Sequence, residues 1–113
     1  MNDEAGDFER ALEEGQHYVL VLYVAGATRR SLSAIENARA LCEEELKGRY
    51  ELKIVDIYKE PAAAQTEQIV AVPSLLKKLP MPLRQVIGDL SEREKVLVGL
   101  DIKPRKRSQD AHG

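Results

Sequence analysis

An uninterrupted apolar run near the start of the chain, H-Y-V-L-V-L-Y-V at residues 17–24, constrains the fold more than any other feature. The run is rich in β-branched and aromatic residues and has the length of a strand. Because no polar side chains alternate with the apolar ones, we predict a strand that is buried on both faces. Such a strand requires a sheet that is covered by helices.

A helix and a second strand are predicted directly after this run. Thr28 is placed to cap the helix, and Gly48 is suited to end it in a left-handed conformation. Apolar residues recur at spacings of three and four on the side expected to face the core, namely at Leu32, Ile35, Ala38, Cys42 and Leu46. Alternation at residues 50–57 predicts the second strand. Residues 17–57 are therefore expected to form a right-handed parallel βαβ unit.

The segment at residues 72–101 supports two interpretations of its secondary structure. Alternation from Leu75 to Leu79, the turn P-M-P and a returning strand at residues 83–87 indicate a hairpin. Yet Leu75, Leu76 and Leu79 also lie about one helical turn apart, so a helix fits as well. Local patterns in a small domain normally agree with each other. This segment does not choose between two structures.

Two further helices flank the ambiguous residues. Pro61 suits the first turn of a helix over residues 62–69, which is expected to stop near Val72–Pro73. S-E-R-E at residues 91–94 has the form of a capping box, with Ser91 as the cap and Glu94 reaching back. The final helix would turn three residues inward, namely Val96, Leu97 and Leu100. The whole order, βαβαββα, is that of a thioredoxin fold, in which we expect a cis bond before Pro73.

The sequence lacks the cysteine that redox chemistry of the thioredoxin kind requires at the start of the first helix. Such an enzyme needs a cysteine at the start of the first helix, and A-G-A-T-R-R stands there at residues 25–30. The one cysteine, Cys42, falls on the apolar helix face and is interpreted as a core thiol. His17 and His112 form neither a triad nor a zinc site, and no phosphate-binding loop is present. We therefore expect no enzyme, metal or cofactor, with a redox protein that uses Cys42 as the alternative.

Length and charge set the domain organisation and the compartment. The 113 residues suffice for one domain at residues 17–102, with an acidic arm at residues 1–16 and a basic tail at residues 103–113 that is expected to be disordered. No apolar run reaches the roughly 20 residues that a bilayer requires, and the N-terminus is acidic where a signal peptide would be basic. We expect a cytoplasmic protein that binds neither membrane nor nucleic acid, because the tail cations have no aromatic partners.

The chain resembles the KaiB family of bacterial circadian clock proteins over nearly all of residues 17–102. The early matches are L-Y-V-A-G at residues 22–26, Thr28 and Ser31, followed by Tyr50, Leu52, Val55, Asp56 and Pro61. The densest matches come later, at Pro73, Leu75, L-P at residues 79–80, Pro82, Arg84, I-G-D-L-S at residues 87–91, R-E-K-V-L at residues 93–97 and G-L-D at residues 99–101. A match of this length and order is far more specific than a short motif.

The resemblance implies a regulator without enzymatic activity that binds the N-terminal ring of a KaiC-type ATPase. It also implies a metamorphic protein, with a self-associated ground state, a tetramer or dimer, and a rarer thioredoxin-like monomer that binds KaiC. The conversion would change the segments after the second strand, from about residue 57 onward. The system served would be a circadian oscillator or a simpler timer or stress response. An input module like that of clock histidine kinases is a further alternative.

Two sets of residues carry these expectations. The resemblance, together with exposed charge, suggests that KaiC is contacted by Lys53, Asp56, Lys59 and Gln68. The residues expected to control the fold switch are Pro73, Gly88, Asp89, Gly99 and Asp101. Glycine within a helix costs about 1 kcal/mol relative to alanine. Gly99→Ala is therefore predicted to favour the fold in which residue 99 is helical, which we expect to be the thioredoxin-like one.

Overall fold

The computed structural model describes residues 17–103, so the predicted acidic arm and the tail beyond Lys103 lie outside the described residues. The elements follow the predicted order: β1 (Tyr18–Val24), α1 (Arg29–Glu45), β2 (Tyr50–Asp56), α2 (Pro61–Thr66), β3 (Ser74–Leu79), β4 (Arg84–Ile87) and α3 (Arg93–Gly99). The βαβαββα prediction is confirmed for this part of the chain.

Strand β1 lies at the centre of a four-stranded sheet whose order is β2-β1-β3-β4. It pairs in parallel with β2, from Tyr18 opposite Tyr50 to Val24 opposite Asp56, as the predicted βαβ unit requires. On its other side it pairs antiparallel with β3, which in turn pairs with β4. Every residue of β1 except Val19 is buried, so the prediction of a strand covered on both faces is confirmed.

Helix α1 begins where predicted, and three of the five residues expected inside, Ala38, Cys42 and Leu46, are buried. The Thr28 side chain accepts a hydrogen bond from the Ser31 backbone N–H at 3.1 Å, which is the predicted cap. The buried positions are Ser31, Ala34, Ala38, Leu41, Cys42 and Glu45. Leu32 was expected inside and is 54% exposed. The small side chains of Ala34 and Ala38 let the helix lie close to the sheet, so the buried stripe is centred on them and Leu32 lies outside it.

Apolar residues form two clusters, one on each face of the sheet. The larger lies between the sheet and helices α1 and α3 and contains Tyr18, Leu20, Leu22, Val24, Ala34, Ala38, Leu41, Cys42, Leu46, Leu75, Leu90, Val96, Leu97, Leu100 and Ile102. The smaller consists of Val21, Tyr23, Val55 and Leu76, against which α2 packs through Ala63 and Ala64. Helices therefore cover both faces, but the second face has only the short α2.

Helix α2 is shorter than the sequence predicts, because it ends at Thr66 and not at residue 69. Gln68 adopts a left-handed φ of 58°. The Ile69 N–H donates to the Ala64 carbonyl at 2.9 Å, and the Gln68 N–H donates to the Gln65 carbonyl at 3.1 Å. These two bonds form a Schellman arrangement, which satisfies the last carbonyls and ends the helix before the proline is reached.

The ambiguous segment adopts the hairpin in this fold. Leu75 and Leu76 are both buried, but Leu75 belongs to the larger cluster and Leu76 to the smaller one on the opposite face. Neighbouring residues point to opposite faces only in an extended chain. Pairing with β1 on one side and β4 on the other satisfies the backbone of β3. The bond between Val72 and Pro73 is cis, as expected.

Helix α3 begins without the predicted capping box. Its first residue is Arg93, and Glu92 occupies the cap position with no side-chain hydrogen bond. The Ser91 N–H donates instead to Asp89 Oδ1 at 3.1 Å. An aspartate that accepts from the backbone two residues later forms a turn of its own, so Ser91 belongs to a turn and not to the helix. The predicted inner face is confirmed, because the buried residues here are Val96, Leu97 and Leu100.

Candidate partner-binding surface and switch segment

The loop before α1 occupies the place where a thioredoxin-like enzyme carries its thiol. Its backbone is held by side chains, since the Ala25 N–H donates to Ser31 Oγ at 3.1 Å and the Gly26 N–H donates to Asp56 Oδ1 at 3.1 Å. Gly26 has a φ of 65°, and a Cβ at this position would lie 3.4 Å from the Tyr58 ring. The loop is thus a packed turn whose residues offer no thiol.

Cys42 lies within the larger cluster and has no exposed surface. Burial and, to a smaller extent, the neighbouring Glu43 carboxylate raise the pKa of its thiol to about 12. A thiol reacts as the thiolate, so a raised pKa opposes both attack and oxidation. The position and the protonation state therefore favour a structural role for Cys42.

Cys42 is expected to react with a disulfide reagent at pH 8 at least about 100-fold more slowly in the native protein than in denaturant, because the buried thiol is almost entirely protonated. The rate is followed by release of the coloured thiol product. A Cys42→Ser variant that also carries Ala27→Cys provides the control, since Ala27 is exposed at the start of α1 and a thiol there should react readily. Fast native reaction of Cys42 would restore the redox alternative.

Three of the four predicted partner-binding residues lie on the surface. Lys53 on β2, Lys59 after β2 and Gln68 after α2 are all exposed. Lys53 is opposite Val21, which belongs to the cluster under α2, so Lys53 is on the face of the sheet that α2 covers. Because β2 is an edge strand and Lys53 is exposed beside α2, a partner can reach both Lys53 and the strand edge.

Asp56, the fourth predicted partner-binding residue, is engaged within its own chain. Its Oδ1 atom accepts hydrogen bonds from the Gly26 N–H at 3.1 Å and the Tyr58 N–H at 3.0 Å. Its backbone carbonyl accepts from the N–H groups of Lys59 and Glu60, both at 2.9 Å. These bonds fix the turn after β2 and join it to the loop before α1, so the geometry favours a positioning role for Asp56.

Two exposed apolar side chains beside α2 were missed at the level of sequence. Tyr58 is 74% exposed and Val70 is 87% exposed. Tyr58 precedes Lys59, and Val70 follows Gln68 by two positions. Large apolar side chains that are exposed close to charges are typical of protein interaction sites. The available signal was an aromatic residue directly before the charged pair K-E at residues 59–60. We define Lys53, Tyr58, Lys59, Gln68 and Val70 as the α2 surface.

Three of the predicted switch residues meet where β4 ends. The Gly88 N–H donates to the Pro73 carbonyl at 2.9 Å, and Gly88 has a φ of 127°, a conformation that favours glycine. The Asp89 carbonyl accepts from Asn37 Nδ2 at 2.7 Å, which attaches this turn to α1. Hydrogen bonds from Ser91 lower the pKa of the Asp89 carboxyl. The turn is therefore held by contacts from three separate segments.

Gly99 and Asp101 lie at the end of α3. Gly99 is the last helical residue, and a Cβ there would lie 2.7 Å from Val86 Cγ2. Asp101 has a left-handed φ of 55°, and its N–H donates to the Val98 carbonyl at 3.1 Å. The Ile102 N–H then donates to the Leu97 carbonyl at 2.9 Å, which completes a Schellman arrangement with aspartate at the usual glycine position.

Side-chain ion pairs connect the predicted switch segment, residues 72–101, to α1 and to the residues after α2. Arg93 on α3 binds Glu44 and also lies 3.5 Å from Glu45, both on α1. Glu44 is mainly responsible for raising the pKa of Arg93. Lys78 on β3 binds Glu67 after α2 at 2.9 Å. Arg93 is thus the charged contact that joins the last helix to the first.

The described residues contain no group of three or more side chains that could hold a metal ion. Between residues 17 and 103, no helix has the length and apolar character needed to cross a membrane. Fold and site together define a thioredoxin-like protein without the catalytic thiol. The structure of Fasciola hepatica thioredoxin has a TM-score of 0.63 and 19% identity, and the match covers 88% of this chain and 94% of the thioredoxin.

The N-terminal domain of Synechococcus elongatus SasA matches with a TM-score of 0.62 and 17% identity, covering 81% of this chain and 90% of that domain. The KaiB domain model matches residues 21–102. The circadian clock oscillator protein KaiB of Prochlorococcus marinus (strain MIT 9312) is 52% identical over 85 residues, which are 75% of this chain and 81% of the relative. The chain belongs to the KaiB family.

Proposed function

We propose that this protein is a timing regulator without enzymatic activity that binds a KaiC-type ATPase in its thioredoxin-like state and modulates the ATPase cycle. The observation that carries the proposal is membership of the KaiB family across residues 21–102, with relatives that are named circadian clock oscillator proteins. The packed loop before α1 and the buried Cys42 agree with a binding function, because neither offers redox chemistry.

Slow exchange between this fold and a self-associated ground state, a tetramer or dimer, is the second part of the proposal. It is supported by the two local interpretations of residues 72–101 and by the contacts that tie this segment to α1, such as Asn37 to Asp89. Those contacts and the pairing of β3 with β1 must break before the segment can refold, so exchange should be slow. The ATPase would select the thioredoxin-like state from the mixture.

The α2 surface is the proposed contact with the ATPase. It combines two lysines with exposed apolar side chains beside an edge strand, and exposed aromatic anchors ringed by polar groups are a common form of protein interface. The charge of Lys53 and Lys59 fits an acidic patch on the partner. Asp56 contributes by holding Tyr58 and Lys59 in place.

Size-exclusion chromatography of the protein with a KaiC-type ATPase and ATP, sampled over hours, tests the proposal. We expect a complex that grows slowly, since only the thioredoxin-like fraction binds. Absence of any complex would contradict the function. Immediate and complete binding by a stable monomer would agree with the binding function but contradict the slow exchange between folds.

A pair of double variants tests the surface itself. Lys53→Ala with Lys59→Ala should weaken binding about tenfold, because two charges on the α2 surface are lost. Arg39→Ala with Lys47→Ala removes two exposed charges near α1 and should leave the affinity unchanged. Affinity is measured by titration at fixed ionic strength after equilibration. Equal weakening by the two double variants would place the contact elsewhere.

A further inference from the structure

A buried lysine in β3 has no assigned role in the proposed function. Lys77 pairs with Leu20 and Arg84 in the sheet and is 1% exposed. Its Nζ atom lies 3.4 Å from the backbone carbonyl of Asp101, at the long end of hydrogen-bond distances. Among the described residues, no carboxylate is within ion-pair distance of this ammonium group, although its neighbour Lys78 binds Glu67 at 2.9 Å.

The charges that face Lys77 do not compensate for its burial. Among the described residues, three groups act on it electrostatically: the cations Arg84 on β4 and Lys103 after α3, and the carboxylate of Asp101. Burial lowers the pKa of Lys77, Asp101 opposes that change, and the two cations add to it. An ammonium group removed from water without a paired carboxylate destabilises the structure that buries it.

We propose that Lys77 is a built-in destabilising element of the thioredoxin-like fold, which holds this fold at a higher free energy at neutral pH and makes its stability depend on pH. In the proposed function, this element keeps the partner-binding state scarce until a partner stabilises it. The inference deepens that function, but the stability measurements that test it require no partner.

The sign of the pH dependence follows from proton linkage. The folded chain binds the Lys77 proton less tightly than the unfolded chain, whose lysine has its ordinary pKa of 10.5. The destabilisation is therefore fully present below the lowered pKa of the folded state and disappears as the pH rises from there toward 10.5. By proton linkage, each unit by which folding lowers the pKa of Lys77 changes the unfolding equilibrium constant by a factor of about ten.

Lys77→Met removes the charge and keeps a flexible side chain of similar length. Urea denaturation at pH 7 should give a lower unfolding equilibrium constant than that of the parent protein, because the variant buries no charge. Loss of the contact with the Asp101 carbonyl opposes this gain only weakly, because its 3.4 Å length is at the long end of hydrogen-bond distances. The advantage of the variant should shrink as the pH is raised to about 10, which isolates Lys77 from other titrating groups.

Lys78→Met is the matched control, because Lys78 is adjacent and bound to Glu67. We expect it to be neutral or slightly destabilising, with no advantage that shrinks at high pH. A Lys77→Met protein that is less stable than the parent at pH 7, or whose advantage is independent of pH, would overturn the proposal. If Lys77→Met fails to fold, Lys77→Gln takes its place under the same two criteria. Failure of KaiC-type binding alone would affect the proposed function and leave these outcomes unchanged.

Discussion

Arg93→Gln is expected to lower the free energy of unfolding of the thioredoxin-like fold by about 1–3 kcal/mol, the range for hydrogen bonds between charged groups. Arg93 joins α3 to α1 through Glu44 and Glu45, and the Glu45 side chain is only 4% exposed. Glutamine keeps much of the side-chain length and removes the charge. Urea denaturation at pH 7 measures the change, and loss of α3 amide signals in NMR spectra would locate it.

Lys95→Gln is the control for this experiment. Lys95 pairs with Glu92 within the same part of the chain, and both side chains are mostly exposed, at 80% and 66%. Exposed pairs of this kind contribute about 0.5 kcal/mol or less. An effect of Arg93→Gln no larger than that of Lys95→Gln would show that the contact between α3 and α1 does not stabilise this fold.

Gly99→Ala is expected to stabilise the thioredoxin-like fold more when Val86 is also replaced by alanine. Alanine in a helix is favoured over glycine by about 1 kcal/mol. The added Cβ, however, lies 2.7 Å from Val86 Cγ2, and overpacking of this kind costs about 1–3 kcal/mol unless the neighbour moves. Val86→Ala removes that methyl group. The structure thus adds an opposing contribution that was not visible in the sequence, where only helix propensity was considered.

A double-mutant cycle measures this coupling. Urea denaturation of the parent protein, the two single variants and the double variant should give a favourable interaction free energy of about 1–2 kcal/mol between the two replacements. If the protein populates two folds, NMR should show the same order in the thioredoxin-like fraction. Additivity within about 0.5 kcal/mol would mean that Val86 moves aside freely and that propensity alone controls residue 99.

Local sequence patterns predicted the first half of the fold because several independent patterns there indicate the same elements. The apolar run at residues 17–24 and the cap at Thr28 each specify one structure, and the structure contains both. Gly48 is left-handed as predicted, but α1 ends at Glu45, so this glycine belongs to the turn that follows the helix and not to its end. The predicted inner side of α1 was right at Ala38, Cys42 and Leu46 and wrong at Leu32. Both Leu32 and Ala34 belong to plausible apolar stripes, and only the close approach of the helix to the sheet decides between them.

The candidate site was predictable in part. The expectation that Lys53, Lys59 and Gln68 lie on the surface is confirmed, since long polar side chains are rarely buried. Asp56 has the same polar character, yet its carboxylate binds backbone N–H groups that are distant in sequence, such as that of Gly26. For Lys77, the expectation from residue type is wrong, because this charged side chain is buried. A lysine in an alternating strand would be expected on the surface, but here its position falls under the end of α3.

The sequence by itself determined the order of the elements, the parallel βαβ unit, the absence of a thiol at the start of α1 and the family. Tertiary structure decided the ambiguous segment at residues 72–101. Its local pattern fits a helix or a strand, so the choice depends on what surrounds it. Pairing of β3 with β1 and β4, and burial of Leu75 and Leu76 on opposite faces, are contacts between distant parts of the chain that select the extended form.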